Sequence, residues 1–167
     1  MAQGSARYAR ENGTWFIKLG GDLRHTLAPA LNTLLDRAFA DPGFEQVALD
    51  LSDAENIDST CLGILARIGN QARRDGKPRP VIISDNEDIS ELLLAVCFDR
   101  LFNLVDAAGP FDDSLQPVPA AQADSERMLK LVLEAHRRLC DIDKRNNAVF
   151  CDVVSALENE ARRKSSE

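Results

Sequence analysis

Short apolar runs alternate with longer amphipathic stretches over the first two-thirds of the chain. Thr14-Trp15-Phe16-Ile17-Lys18-Leu19 reads as a strand. The Asn12-Gly13 pair before it is a tight-turn signal, which makes residues 6–9 a short hairpin partner. Gly20-Gly21-Asp22 ends the strand. From Thr26, the positions Leu27, Leu31, Leu34, Leu35, Ala38 and Phe39 recur at helical spacing. Pro29 falls in the first turn, where a missing N–H is tolerated, and Asp41-Pro42-Gly43 stops the helix. Val47-Ala48-Leu49-Asp50-Leu51 is a compact apolar strand, followed by a polar, acidic loop from Ser52 to Asn56. An apolar-rich helix then runs from Ile57-Asp58-Ser59-Thr60 to about Arg74 and closes at Asp75-Gly76-Lys77-Pro78. Val81-Ile82-Ile83-Ser84 is a buried strand, residues 89–98 a helix, and residues 101–105 a last short strand. Strands alternating with helices predict an α/β layered domain over residues 1–108.

The pattern then changes. Residues 109–123 are rich in Pro and Ala, which is linker chemistry. Beyond them, Met128, Leu131, Val132, Ala135 and Leu139 line one side of a helix. Val149, Phe150, Val153, Val154, Leu157 and Ala161 line a second. Residues 124–167 thus read as an αα-hairpin turning near residues 141–143. One long helix is the alternative. A hairpin cannot bury its apolar stripe alone, so it must dock on the main domain, on a copy of itself, or on a partner.

The helix after Asp58 carries the informative chemistry. At about 100° per residue, Cys61, Ile64, Leu65, Ile68 and Ala72 cluster on the core side. Ser59, Gly63, Arg67, Asn70 and Arg74 fall on the opposite side, expected to be exposed. A hydroxyl therefore stands at a helix start, after a stretch containing Asp50, Asp53, Glu55 and Asp58. Gly63, one turn further on, costs helix propensity, and its missing side chain lets another surface approach closely. In structural terms Asp58 is an N-cap and Ser59 and Thr60 are first-turn residues. In functional terms Ser59 is a phosphorylation site. A phosphoryl group there is compatible with the helix dipole and changes the charge of the surface without unfolding it.

At these residues the chain resembles the STAS domains, the anti-sigma-factor antagonists and their relatives. Residues 47–51 followed by Ile57-Asp58-Ser59-Thr60-Cys61-Leu62-Gly63 look like the family's strand and Asp-Ser-[Ser/Thr]-Gly-Leu-Gly element. Cys97-Phe98-Asp99-Arg100-Leu101-Phe102 is similar to the Gly-[Leu/Phe]-Asp-Arg-Leu-Phe element that ends many such domains, and Val81-Ile82-Ile83-Ser84 adds to the match. The resemblance spans roughly residues 6–108. It implies a STAS-like mixed β-sheet packed with helices, here extended by the C-terminal αα-hairpin. It also implies partner switching, in which the unphosphorylated protein binds an anti-sigma factor that is a serine kinase of the histidine-kinase-like ATPase type. That kinase phosphorylates the serine after the motif's Asp, and a PP2C-type phosphatase reverses the step. Carried over by position, the acceptor is Ser59, with Thr60 as fallback. The partner surface is Asp53, Asp58, Ser59, Gly63 and Arg67. Cys61 stands where the motif has glycine, and the helix phase points it inward. The alternative is a STAS scaffold without phosphorylation, a regulatory subunit of a transporter or sensory complex.

Charge and composition narrow the classes. Of 167 residues, 20 are Lys or Arg and 27 Asp or Glu, a formal charge of -7. Residues 1–110 hold 11 basic against 16 acidic side chains, and residues 111–167 hold 9 against 11. Neither part supplies the basic face that direct nucleic-acid binding needs. The first eleven residues contain no apolar signal core, and no apolar run is long enough to span a membrane, so a cytoplasmic bacterial protein is expected. Cys61, Cys97, Cys140 and Cys151 lack zinc spacing and read as small buried hydrophobes in a reducing compartment. His25 and His136 are isolated, with His136 expected on a tail-helix surface. Neither a metal, a cofactor nor a catalytic centre is expected, and a small enzyme or nucleotide-binding protein is the least supported class. A homodimer through the tail is left open.

Overall fold

The computed structural model describes residues 1–109 and 114–167. The sequence's first hairpin is present as β1 (Ser5–Glu11) and β2 (Thr14–Leu23), antiparallel and joined by Asn12-Gly13. Both turn residues have positive φ, 52° and 82°, as a two-residue hairpin turn demands. Helix α1 (Ala28–Ala40) follows a single 3-10 turn at His25–Leu27 and carries Pro29 in its first turn. Strand β3 (Gln46–Ile57), helix α2 (Ser59–Arg74), strand β4 (Val81–Ile83), helix α3 (Glu87–Ala95) and strand β5 (Asn103–Val105) complete the alternation. The six-stranded sheet has the order β5-β4-β3-β2-β1-β6, with β2 to β5 parallel. Its α/β class and mixed sheet are those expected.

Two expectations about the sheet need correction. Strand β2 does not stop at Gly20-Gly21-Asp22, and the polar segment Ser52 to Asn56 is not a loop. They pair with each other, Gly20 opposite Asp53 and Asp22 opposite Asn56, through register shifts that let the chain bulge. Gly21 makes this possible. Its φ is 74°, and a Cβ there would sit 2.4 Å from the Gln3 carbonyl oxygen. The second correction concerns the linker. Gln116–Pro117 form β6, antiparallel to the outer edge of β1, with Leu115 buried beside it. Proline suits this edge position because the ladder needs no N–H from it. Residues 110–113 of the linker lie outside the described residues.

The core is aliphatic, as the low aromatic content requires. Ile17, Leu19, Leu49, Leu51, Leu34, Leu35, Ile64 and Leu65 are all essentially inaccessible. Phe98 and Phe102 stack beneath the last turn, ring centroids 5.1 Å apart. Cys97 precedes them with φ 63° and ψ 28°. Cys97 stands where the element it resembles has glycine, the residue that takes a left-handed backbone freely; a side chain there costs on the order of 1–2 kcal/mol.

The tail forms the expected hairpin. Helix α4 (Ser125–Ile142) is capped by Asp124, and α5 (Lys144–Ser165) by Asp143. Helix α4 docks on α2 of the same chain, and its buried side chains, Leu139 and Ala135 among them, join the main core. Helix α5 packs on α4 and buries only Asn146 fully, leaving Val149 67% exposed. The turn is pinned to the sheet domain. Asn146 Nδ2 donates to the Val96 and Leu139 carbonyls at 2.8 and 2.9 Å, and Arg100 pairs with Asp143. Cys61 and Cys97 are buried as expected, whereas Cys140 and Cys151 are only partly covered. The correction follows from the hairpin's own two-layer packing, which leaves its outer side open to solvent.

Candidate functional site

The site forms where the end of β3 turns into α2. Asp58 has extended backbone angles, and its Oδ1 accepts from the Cys61 N–H at 2.9 Å, so it is the N-cap. Its Oδ2 accepts from the His25 N–H at 2.6 Å, which ties the 3-10 turn before α1 to the start of α2. Cys61 points inward, as its helix phase predicts, and its thiol donates to the Arg24 carbonyl at 3.1 Å. Burial, reinforced by the Asp58 carboxylate, pushes that thiol up, so it remains protonated and able to donate.

Ser59 is the first residue of α2. Its Oγ lies 2.8 Å from Nε2 of His136 on α4. His136 Nδ1 is 2.7 Å from the Val132 carbonyl oxygen, which can only accept. Nδ1 therefore carries the proton. In the neutral ring Nε2 is the acceptor, and the Ser59 hydroxyl donates to it. His136 is 4% exposed, with the Phe150 ring edge-on at 5.8 Å. The surface position expected for it is wrong. Its neighbours Arg137 and Arg138 suggest solvent, but its own face of α4 turns toward α2.

The outer face of α2 is likewise covered from Ser59 to Arg67, whereas Arg74 at its end is exposed as expected. Gly63 is buried, and a Cβ there would stand 2.2 Å from the Ala135 carbonyl oxygen. The close approach inferred for Gly63 is thus made by this chain's own α4. Arg67 is half-buried and committed: Nη1 donates to the Asn32 side chain at 2.6 Å and Nη2 to Asp36 at 2.8 Å. Thr60, the fallback acceptor, is buried. Asp53 is exposed and paired with Lys18 at 3.2 Å. Asp58 and Ser59 therefore meet at one place with His136, while Asp53 stands apart on β3. His136 is the site residue missed by sequence reasoning. It lies 77 positions from Ser59, and no local signal joins them.

Chemically, a hydroxyl donating to an imidazole that is fixed by a second acceptor is a polarised nucleophile. A main-chain carbonyl takes the place that a carboxylate holds in a catalytic triad. The arrangement suits a serine that is modified or that latches two helices.

Residues 6–84 match the family model described as Mlab, STAS domain. This part of the chain belongs to the STAS-domain family. The C-terminal hairpin is an extension beyond the matched STAS segment. The fold is similar to that in the NMR structure of the protein TM1081, with a TM-score of 0.52 and 24% identity over 60% of this chain and 79% of that one. No curated protein matches the chain. Among the described residues, no helix is long and apolar enough to cross a membrane.

Proposed function

We propose that this STAS protein is a non-enzymatic anti-sigma-factor antagonist controlled at Ser59, whose C-terminal hairpin occupies the partner face in the resting state. The observation that carries the reading is the 2.8 Å contact between Ser59 Oγ and His136 Nε2. That gap holds a proton and nothing larger. A phosphoryl group on Oγ requires His136, and α4 with it, to move. The added charge, about −1.5 to −2 at neutral pH, then stands at the α2 N-terminus close to Asp58. An anti-sigma factor of the ATPase-kinase type reading the α2 face has to displace the same helix. A PP2C-type phosphatase resets the latch.

The test is mass spectrometry of the chain isolated from its native cells, before and after phosphatase treatment. Phosphate at Ser59, lost in Ser59→Ala, is the expected result. An unmodified Ser59 under every growth condition, with a partner bound equally by Ser59→Ala and Ser59→Asp, overturns it. The second reading is an unphosphorylated STAS subunit of a transporter or sensory complex. It is favoured by the simple latch role that His136 gives Ser59.

A further inference from the structure

Arginines gather along one groove at the junction of α1, α2 and α4. The groove has a volume of about 580 Å³ and is lined by Arg67, Arg73, Arg74 and Arg138, with Asp36 and Glu134 as its carboxylates and Asn32 and Asn70 as its amides. Arg67 is spent on Asn32 and Asp36. The other three are less committed. Arg74 reaches only Gln71, at 3.4 Å, and Arg73 makes no ion pair among the described residues. Arg138 stands 3.7 Å from Glu134, and its Nη1 is buried with no hydrogen-bond partner among the described residues. Native folds rarely leave a buried charged donor unpaired without a reason. Burial, then the charges of Arg67 and Arg74, lowers the Arg138 pKa against the opposing pull of Glu134 and Asp36.

From this arrangement we infer that the groove is a binding site for a small phosphate ester without an aromatic ring. Four guanidinium groups against two carboxylates leave two positive charges. A phosphate monoester brings about −1.5 to −2 and presents oxygens in the geometry that guanidinium forks match. The volume lies within the roughly 300–1,000 Å³ of small-molecule sites, so it holds the phosphate together with its carrier. That carrier is polar. Every lining residue is charged or an amide, so a base would meet only guanidinium planes and no aliphatic or aromatic wall. The site is complete only with α4 in place, because Arg138 and Glu134 come from that helix.

Calorimetric titration of the full chain with ribose 5-phosphate, AMP and succinate at low salt tests the assignment. Ribose 5-phosphate is expected to bind saturably, AMP no tighter, and the dicarboxylate more weakly. Arg74→Gln, on the exposed side of α2, and Arg138→Met, which keeps the aliphatic stem, should each weaken binding about 10- to 100-fold. Arg162→Gln, on α5 away from the groove, should leave it unchanged. Without ligand, Arg138→Met should melt no lower than the parent, since it removes the unpartnered Nη1 and only a long, partly exposed pair with Glu134. The proposal fails if ribose 5-phosphate does not saturate or if succinate binds as tightly. It fails equally if AMP gains tenfold from its base, or if Arg162→Gln weakens binding as much as Arg74→Gln.

Discussion

Gly63 of α2 and Ala135 of α4 meet main chain to main chain, with no room for even a methyl group between them. This contact sets how closely the hairpin lies on the sheet domain, and it brings His136, the next residue of α4, within reach of Ser59.

Gly63→Ala therefore separates two opposing effects. Alanine in place of glycine favours the α2 helix by about 1 kcal/mol. Its Cβ meets a backbone carbonyl that cannot rotate away, an overpacking cost of about 1–3 kcal/mol. The clash should win at the interface. Hydrogen exchange is expected to quicken along α4 while β2 and β3 stay protected. Unchanged protection in α4 would show that the helices slide apart freely.

The Ser59–His136 bond can be weighed by a double-mutant cycle. Ser59→Ala leaves the buried Nε2 without its donor and should cost about 1–3 kcal/mol. His136→Leu removes the same bond while keeping an apolar body against Phe150. The two together should cost less than the sum of the single changes, with a coupling of about 1 kcal/mol, read by denaturant unfolding. Strict additivity would mean that the bond contributes nothing.

The hairpin turn has an acid dependence of definite sign. The Arg145 backbone N–H, then its side chain, holds the Asp143 carboxyl below the ordinary aspartate range. A carboxyl lowered on folding favours the folded state when ionised. Its contribution is full above the unfolded value near about 3.9 and disappears as the pH falls through the lower folded value. Asp143→Asn should flatten this part of the acid-unfolding curve, followed by circular dichroism. An identical acid slope in the variant would place the effect elsewhere, with Asp22 and Asp41 as the other lowered carboxyls among the described residues.

The strand and helix order was legible because each apolar run is short and bounded by Gly, Pro or Asp. The α2 boundaries, the Asp58 cap and the inward Cys61 followed from local rules of spacing and capping. Three features were not legible, each for a physical reason. The second half of β3 is polar because its side chains at Asp53, Glu55 and Asn56 face solvent, and main-chain pairing with the bulged β2 makes it a strand. Strand β6 is two residues long, too short for any period to show. The face of α2 carrying Ser59 and Gly63 reads as solvent-facing in a helical wheel. A wheel describes one helix, and what covers this face comes from the far end of the chain.

Covalent attachment gives the docked hairpin a property that no separate inhibitor has. Dilution does not remove α4 from α2, because both belong to one molecule. Under the proposed function, a protein seeking the Ser59–Gly63 surface competes against a rival held at fixed local concentration. Its apparent affinity is its intrinsic affinity scaled by the fraction of molecules with the hairpin lifted. Each 1.4 kcal/mol of docking free energy, roughly one well-made buried contact, lowers that affinity about tenfold. The threshold for occupancy is therefore written into α4, and it can be reset by changes that never touch the surface being bound.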